Sequence, residues 1–334
     1  MQSPGAFVRK QPHAILVWIA LSTVYLVWGS TYLAIRVVVE TMPPLLTAGV
    51  RFLIAGAIVY LWILARRGRA AVRVTRREVL AASVVGGALL LGGNGLVSIA
   101  ELTVPSALAA LIIASTPLWV ILLRAVTGEK VSRLTLGAVA VGFAGVGILV
   151  LPGNRPDGVE LWGILLLIVA AANWATGSFL SQRLALPGDP FLSTGIQMLC
   201  GGAILIAAGL VRGEASSLEV AAFSGASLAG LAYLIVFGSL VAFTAYVWVL
   251  QNAPISRVAT YAYVNPVVAI FLGWAILSEE ITATTLVGAA VILTSVAFTL
   301  GKEKVVGPAD RPALPEEPVS EDRSGAPAMS TARA

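Results

Sequence analysis

Charge is scarce in this chain of 334 residues. Asp, Glu, Lys and Arg together make up 12% of it, about half of the roughly 25% that a soluble domain carries. Cysteine occurs once, at Cys200 inside an apolar run, so no disulfide and no thiolate metal site can form within one chain. Cys200 reads as a small buried filler. Histidine also occurs once, at His13, ahead of the first apolar run, which excludes imidazole-based metal or proton chemistry at membrane depth. No H-E-x-x-H and no P-loop sequence is present, so neither a zinc hydrolase site nor direct use of ATP is expected. No metal and no cofactor is expected at all. The links between apolar runs are too short to hold a soluble catalytic domain.

Apolar sequence is what the chain has in abundance: 58% hydrophobic residues and a mean hydropathy of +0.90. Runs of about 20 residues, the length a helix needs to cross about 30 Å of hydrocarbon, fall near 14–35, 45–65, 79–99, 104–126, 134–151, 161–181, 191–211, 225–250, 255–277 and 283–300. Their length favours helices over buried strands. The first run is too long, and too bare of an A-x-A site, for a signal peptide. Residues 1–13 precede the spans, and the Pro-, Ala-, Glu- and Ser-rich tail 305–334 is expected to be disordered.

The pI of 9.6 does not point to nucleic acid, because the basic residues flank apolar spans, as they do at a membrane surface. One side of the alternating links holds Arg66, Arg67, Arg69, Arg73, Arg76, Arg77, Arg124, Lys130, Arg133 and Arg183, together with Arg9, Lys10, Arg257, Lys302 and Lys304. The other side holds Arg36, Arg155 and Arg212. The first side is therefore expected to be cytoplasmic, with both termini on it.

The pattern is written twice. Trp28-Gly-Ser-Thr-Tyr32 recurs loosely as Trp174-Ala-Thr-Gly-Ser178, and Arg51 aligns with Gln197 at the same offset (174 − 28 = 197 − 51 = 146). Pro105 and Pro117 recur as Pro254 and Pro266 (254 − 105 = 266 − 117 = 149), and Glu129 as Glu279. The two copies cover 14–151 and 161–301. Five spans per copy make the second copy enter from the opposite face, so the fold expected is an all-α membrane protein of ten transmembrane helices in two inverted five-helix repeats. Such repeats exchange conformations about a site near the bilayer midplane.

Proline deletes a helical hydrogen bond and clashes with the carbonyl four residues back. Pro117 and Pro266, placed alike in the two copies, mark the expected hinges. Tyr25, Trp28 and Tyr32 fall on one helix face, and an uncompensated amide in hydrocarbon costs several kcal/mol. Asn94, Asn173 and Asn265 should therefore point inward, either to solute or to neighbouring helices. The chamber expected is aromatic and uncharged, lined by Trp28, Tyr32, Asn94, Trp174, Tyr246, Tyr261 and Asn265. Arg51, two turns into its span and paired in the repeat with neutral Gln197, is read as a gating or structural residue close enough to the surface to snorkel. Glu101 is read as a loop carboxylate, or as the partner of Arg51 or Arg36 in an outer gate. No deeply buried acid is evident, so a proton relay has little support. Gly137, Gly142, Gly145 and Gly147, with Gly288 and Ala289, let the fifth and tenth spans pack closely, either against their own bundle or in a homodimer.

Trp28-Gly-Ser-Thr-Tyr-Leu-Ala-Ile-Arg36, the Pro-Pro-Leu and Arg51-Phe-Leu of the second span, and Tyr261-Ala-Tyr-Val-Asn-Pro266 with Ser-Glu-Glu280 resemble the EamA family of the drug/metabolite transporter superfamily, over about residues 14–301. The resemblance implies two EamA repeats in a bacterial inner membrane and efflux or exchange of small metabolites by alternating access. Its fifth and tenth helices would be peripheral. The partners expected are a small-molecule solute and membrane lipid. A membrane-embedded enzyme or lipid-handling protein is the alternative, but it needs acids, bases or metal ligands at depth. A passive channel conflicts with the hinge prolines and the lack of a charged pore ring.

Overall fold

The computed structural model describes residues 14–151, 158–253, 258 and 260–302. His13, Arg155, Pro254, Arg257, Lys304 and the segments 1–13 and 305–334 lie outside the described residues. Among the described residues ten apolar helices follow one another: α1 (Ala14–Val39), α2 (Pro44–Arg67), α3 (Arg76–Ala100), α4 (Ser106–Val126), α5 (Arg133–Val150), α6 (Leu161–Ser181), α7 (Pro190–Val211), α8 (Gly225–Val249), α9 (Tyr261–Leu277) and α10 (Ala283–Gly301). Nine are long and apolar enough to cross a membrane, and α9 is slightly shorter at 17 residues. No strand occurs among the described residues. α1 runs past its expected end near 35 because Ile35, Val38 and Val39 bury in the core.

Helix starts show how the halves lock together. α3 opens on a capping box, in which Thr75 Oγ1 accepts from Glu78 N and the Glu78 carboxylate accepts from Thr75 N. α7 opens on Asp189, whose carboxylate accepts from Phe191 N and Leu192 N and pairs at 2.6 Å with Arg67 at the end of α2. α2 and α4 instead follow prolines that offer no side-chain cap, Pro43 and Pro105. Carboxylates from the second half fill the role: Glu214 accepts from Leu45 N and Leu46 N, and Glu279 from Ser106 N and Ala107 N. Each satisfies orphan donors at a partly positive helix end.

The packed pairs carry an internal two-fold relation. α1 lies against α8 and α9, while α6 lies against α3 and α4; α2 packs on α7, α5 on α10 and α4 on α9. Exchanging α1–α5 with α6–α10 maps this set onto itself. An odd number of crossings per half sets that relation in the membrane plane.

Gly142 abuts Leu118 and Ser295, and Gly145 abuts Val291 and Ile292, so these two glycines of α5 serve its seam with α10 inside one chain. Ser295 Oγ donates to Ala138 O across it at 2.6 Å. Exposed apolar side chains such as Leu26, Leu80, Val84, Leu165, Phe271 and Ile276 line the outside, as hydrocarbon requires.

The two prolines act differently. α4 breaks at Ala114–Ser115 and restarts at Thr116. Pro117 leaves the Ile113 carbonyl without its N–H, and Thr116 Oγ1 donates to that carbonyl at 2.7 Å. α9 runs unbroken through Pro266, against the expectation of a break in each copy. The side-chain amide of Asn265 lies 3.3 Å from the Tyr261 and Tyr25 carbonyls, and the helix continues.

On the basic face, Glu129 pairs with Arg124 at 2.6 Å and with Arg183. The hydrogen bond from Arg124 comes first among the effects that hold its carboxyl below the ordinary range. The pairs are a third or more exposed at the carboxylate, so Glu129→Gln is expected to cost at most about 1 kcal/mol. Because the folded-state pKa is depressed, the contribution is present above the unfolded value of about 4.3 and is lost as pH falls through the folded one. Thermal melts in detergent between acidic and neutral pH, with and without added salt, check this. A difference that survives high salt contradicts it.

Candidate functional site

At the middle of the bundle, two helices depart from α geometry at matching places. α3 winds as a π-helix over Gly87–Gly95, and α8 does so over Leu234–Val241. The offsets, 234 − 87 = 147 and 241 − 95 = 146, fall within the 146 to 149 of the repeat. A π turn spaces its hydrogen bonds one residue wider, re-aims side chains, and is frequent at functional sites.

Arg51 bridges the two turns. Its Nε donates to Ser239 Oγ at 2.9 Å, in the α8 turn. Its Nη1 donates to Asn94 Oδ1 at 3.4 Å, in the α3 turn. Its guanidinium carbon also lies 4.6 Å from the centre of the Phe52 ring. Only 5% of Arg51 is exposed, so it does not snorkel as the sequence suggested. Both hydrogen-bond partners are neutral, and no salt bridge to Arg51 occurs among the described residues. Gly238 touches the same group: a Cβ there would stand 3.1 Å from Arg51 Nη2.

Next to this cation lies an aromatic trio. Trp28 of α1 meets Tyr246 of α8 with ring centres 5.0 Å apart, and Tyr261 of α9 edge-on at 5.5 Å. Tyr246 and Tyr261 are T-shaped at 5.8 Å. Trp28 Nε1 donates to the Gly238 carbonyl at 3.2 Å, tying the trio to the α8 turn. Ser30 Oγ meets the Tyr233 hydroxyl at 2.6 Å one turn further along. Trp174 repeats the relation in the other half, its ring lying on Gly93 in the α3 turn, while Asn173 lies on Gly92 and donates to Val169 O.

Of the expected chamber residues, the structure brings Trp28, Tyr246, Tyr261 and Asn265 together. Asn94 joins them through Arg51 and Gly238. Tyr32 packs against the main apolar cluster, and Trp174 of α6 stands apart, against Gly93 of α3. Beside Arg51 lies a cleft of about 10 Å³ walled by Val38, Thr47, Ser98 and Leu234, room for about one water. Too small for a solute, that cleft leaves Arg51 enclosed in this structure.

Glu101 departs from both readings offered for it. It is not a solvated loop carboxylate, because it is 0% exposed. Nor does its carboxylate pair with Arg51 or Arg36: Arg36 Nη1 donates to the Glu101 backbone carbonyl, and neither carboxylate oxygen has a hydrogen-bond partner. A deeply buried acid is therefore present, which the sequence reading had denied. Ser239, Gly238 and the capping role of Glu279 were also missed. The glycine pairs at 86–87 and 92–93 and the Gly-Ser at 238–239, set in otherwise large apolar runs, were the available signals.

The EamA-like transporter family matches residues 15–151 and 161–301, both halves in turn. The chain belongs to that family. It is 36% identical over 285 residues to the uncharacterized inner membrane transporter YedA of Escherichia coli K12, covering 85% of this chain and 90% of that one. Uncharacterized transporter YvbV of Bacillus subtilis is 25% identical over 291 residues, covering 85% and 91%. A solved crystal structure aligns with a TM-score of 0.59 at 20% identity over 87% of this chain and 100% of that chain, a likeness of fold alone. In this EamA protein the two matched segments are the halves related by the packing exchange, and the Arg51 bridge joins one half to the other. The first match ends at Leu151, where α5 closes, and the second begins at the start of α6.

Proposed function

We propose that this EamA-family chain is a secondary transporter of the inner membrane that exports small amphipathic solutes by alternating access, with its basic face in the cytoplasm. The reading rests above all on Arg51, a buried cation held between the π turns of two related halves with only neutral partners. A buried charge is costly unless paired, and intramembrane charges mark solute paths. A solute carboxylate supplies the missing partner.

The trio Trp28, Tyr246 and Tyr261 then receives the apolar or amine end of the solute through stacking and cation–π contact, with the Asn265 amide tying the Tyr261 carbonyl to that of Tyr25 on α1. The substrate class is thus the neutral or aromatic amino acids and similar amphipathic carboxylates. Movement of the halves about α4 and the π turns would expose Arg51 to each side in turn. Pro117, just past the break in α4, serves as the hinge position.

The test is uptake and counterflow in proteoliposomes with a panel of amino acids, their amides and cationic dyes. If no member of the panel moves down its gradient, the proposal is lost. Conversion of labelled lipid by the pure protein would instead favour a lipid-handling enzyme. Trp28→Ala removes two ring contacts worth about 0.5–1.5 kcal/mol each, so KM for an aromatic solute is expected to rise about tenfold. Trp174→Ala, acting on α3 packing, changes KM less. Equal transport by Trp28→Ala, Asn265→Ala and the unaltered protein sinks this placement of the solute.

A further inference from the structure

We propose that Glu101 is a proton-binding site that controls closure of the face opposite the basic one: a neutral acid while that face is shut, a carboxylate once it opens. Glu101 sits in the link 101–105 between α3 and α4, at the seam of the two halves. It is wholly buried, and both carboxylate oxygens lack a hydrogen-bond partner, as do Thr103 Oγ1 and Ser106 Oγ beside it in sequence. A buried ionised carboxylate without donors is unfavourable enough that the group takes up a proton instead.

Among the described residues, the charged and titratable groups acting on it are Arg36 and Tyr32 of α1 and Glu279 of the α9–α10 link. α6 approaches the link through Gly163, where a Cβ would stand 2.9 Å from Thr103 Oγ1. Arg36 spends a guanidinium donor on the Glu101 backbone carbonyl, holding the link to α1 without satisfying the acid. Glu279 has two backbone N–H donors for its own oxygens, Ser106 N and Ala107 N. Glu101, wholly buried and given no donor, holds a proton. Burial first, then Glu279, pushes its carboxyl well above the ordinary range, with Arg36 opposing.

The same contacts tie protonation to closure. Glu279 belongs to the second half and caps a helix of the first, so opening this face pulls apart the elements that bury Glu101. Glu279 also lines an open surface cleft of about 670 Å³ with Trp274, Ser278 and Thr282. Opening gives Glu101 solvent and lets its O–H release a proton; closing requires a proton to return. No other atom or electron changes hands. The protonation stands apart from the transporter reading, but its kinetic consequence rests on that reading.

Two measurements on the full chain decide it. Infrared titration of the purified protein in detergent should show a protonated-carboxyl C=O band at neutral pH that disappears in Glu101→Gln. In proteoliposomes, solute exchange should slow by about tenfold per pH unit on the Glu101 side above its pKa, since one proton is required per closure. The pH of the basic side should have no such effect, and Glu101→Gln, a neutral mimic, should exchange at a pH-independent rate. Lack of the band, or an unchanged pH profile in Glu101→Gln, overturns the proposal. Should no solute move at any pH, the transport reading fails and the infrared band alone decides the state of Glu101.

Discussion

Arg51→Met is expected to abolish transport of carboxylate-bearing solutes while leaving the melting temperature unchanged or raised. The two effects separate because the cation has no charged partner among the described residues. Its bonds to Ser239 and Asn94 offset only part of the cost of burying it, and exchanging a buried ion for an apolar side chain of similar size is often neutral or stabilising. For a bound carboxylate the loss is of another order. Charge-assisted hydrogen bonds contribute about 1.5–3 kcal/mol each, and a guanidinium fork makes two in parallel. Arg51→Lys keeps the charge but gives up the fork, so kcat/KM should fall about 100-fold. Amidated solutes, which have no carboxylate to lose, should be carried equally by both proteins. If Arg51→Met lowers the melting temperature as far as it lowers transport, Arg51 holds the bundle together and is not waiting for a solute.

Much of this arrangement was legible in the residues, and the exceptions share a cause. Spans, repeat and helix class follow from hydropathy and from the fixed offsets between Trp28 and Trp174 or Pro117 and Pro266. These are periodic signals along one dimension. Trp28, Tyr246 and Tyr261 were among the seven residues read as chamber lining, but that their rings touch one another follows from how α1, α8 and α9 pack. Arg51 and Glu101 were misplaced because sequence distance from a span end was taken as depth. The link 101–105 is short, and α1, α4 and the Glu279 link fold over it, so a residue outside any helix is the most buried acid of the described chain. For Arg51, the ends of α2 offered an escape to the surface, but Ser239 and Asn94 stand where the guanidinium reaches inward. Those partners lie 188 and 43 residues away. The π turns were illegible for a different reason. Their widened bonding is set by what packs against Gly93 and Gly238, and those partners, Trp174 and Arg51, belong to other helices.

The largest loss of stability from a single added side chain is expected at the crossing of α3 and α7. A Cβ on Gly86 would lie 2.5 Å from the Gln197 carbonyl oxygen and 3.3 Å from Gly201 N. From the other side, a Cβ on Gly201 would stand 2.8 Å from the Gly86 carbonyl oxygen. Backbone faces backbone here, so no rotamer change relieves the clash and the helices must part. Overpacking typically costs about 1–3 kcal/mol. In a membrane, helix association depends on such close packing, with no hydrophobic drive to compensate. Gly86→Val is therefore expected to lower the detergent melting temperature by about 5 °C or more. It should slow transport as well, because the α3 turn that carries Asn94 begins at Gly87. Gly137→Ala and Gly147→Ala are the controls. Nothing lies within 4 Å of either position, and alanine is favoured over glycine in a helix interior by about 0.5–1 kcal/mol, so these should hold or raise the melting temperature. Opposite signs at the two kinds of glycine distinguish a packed seam from a general intolerance of substitution. A Gly86→Val protein that melts with the unaltered one would mean that α3 and α7 do not touch as described.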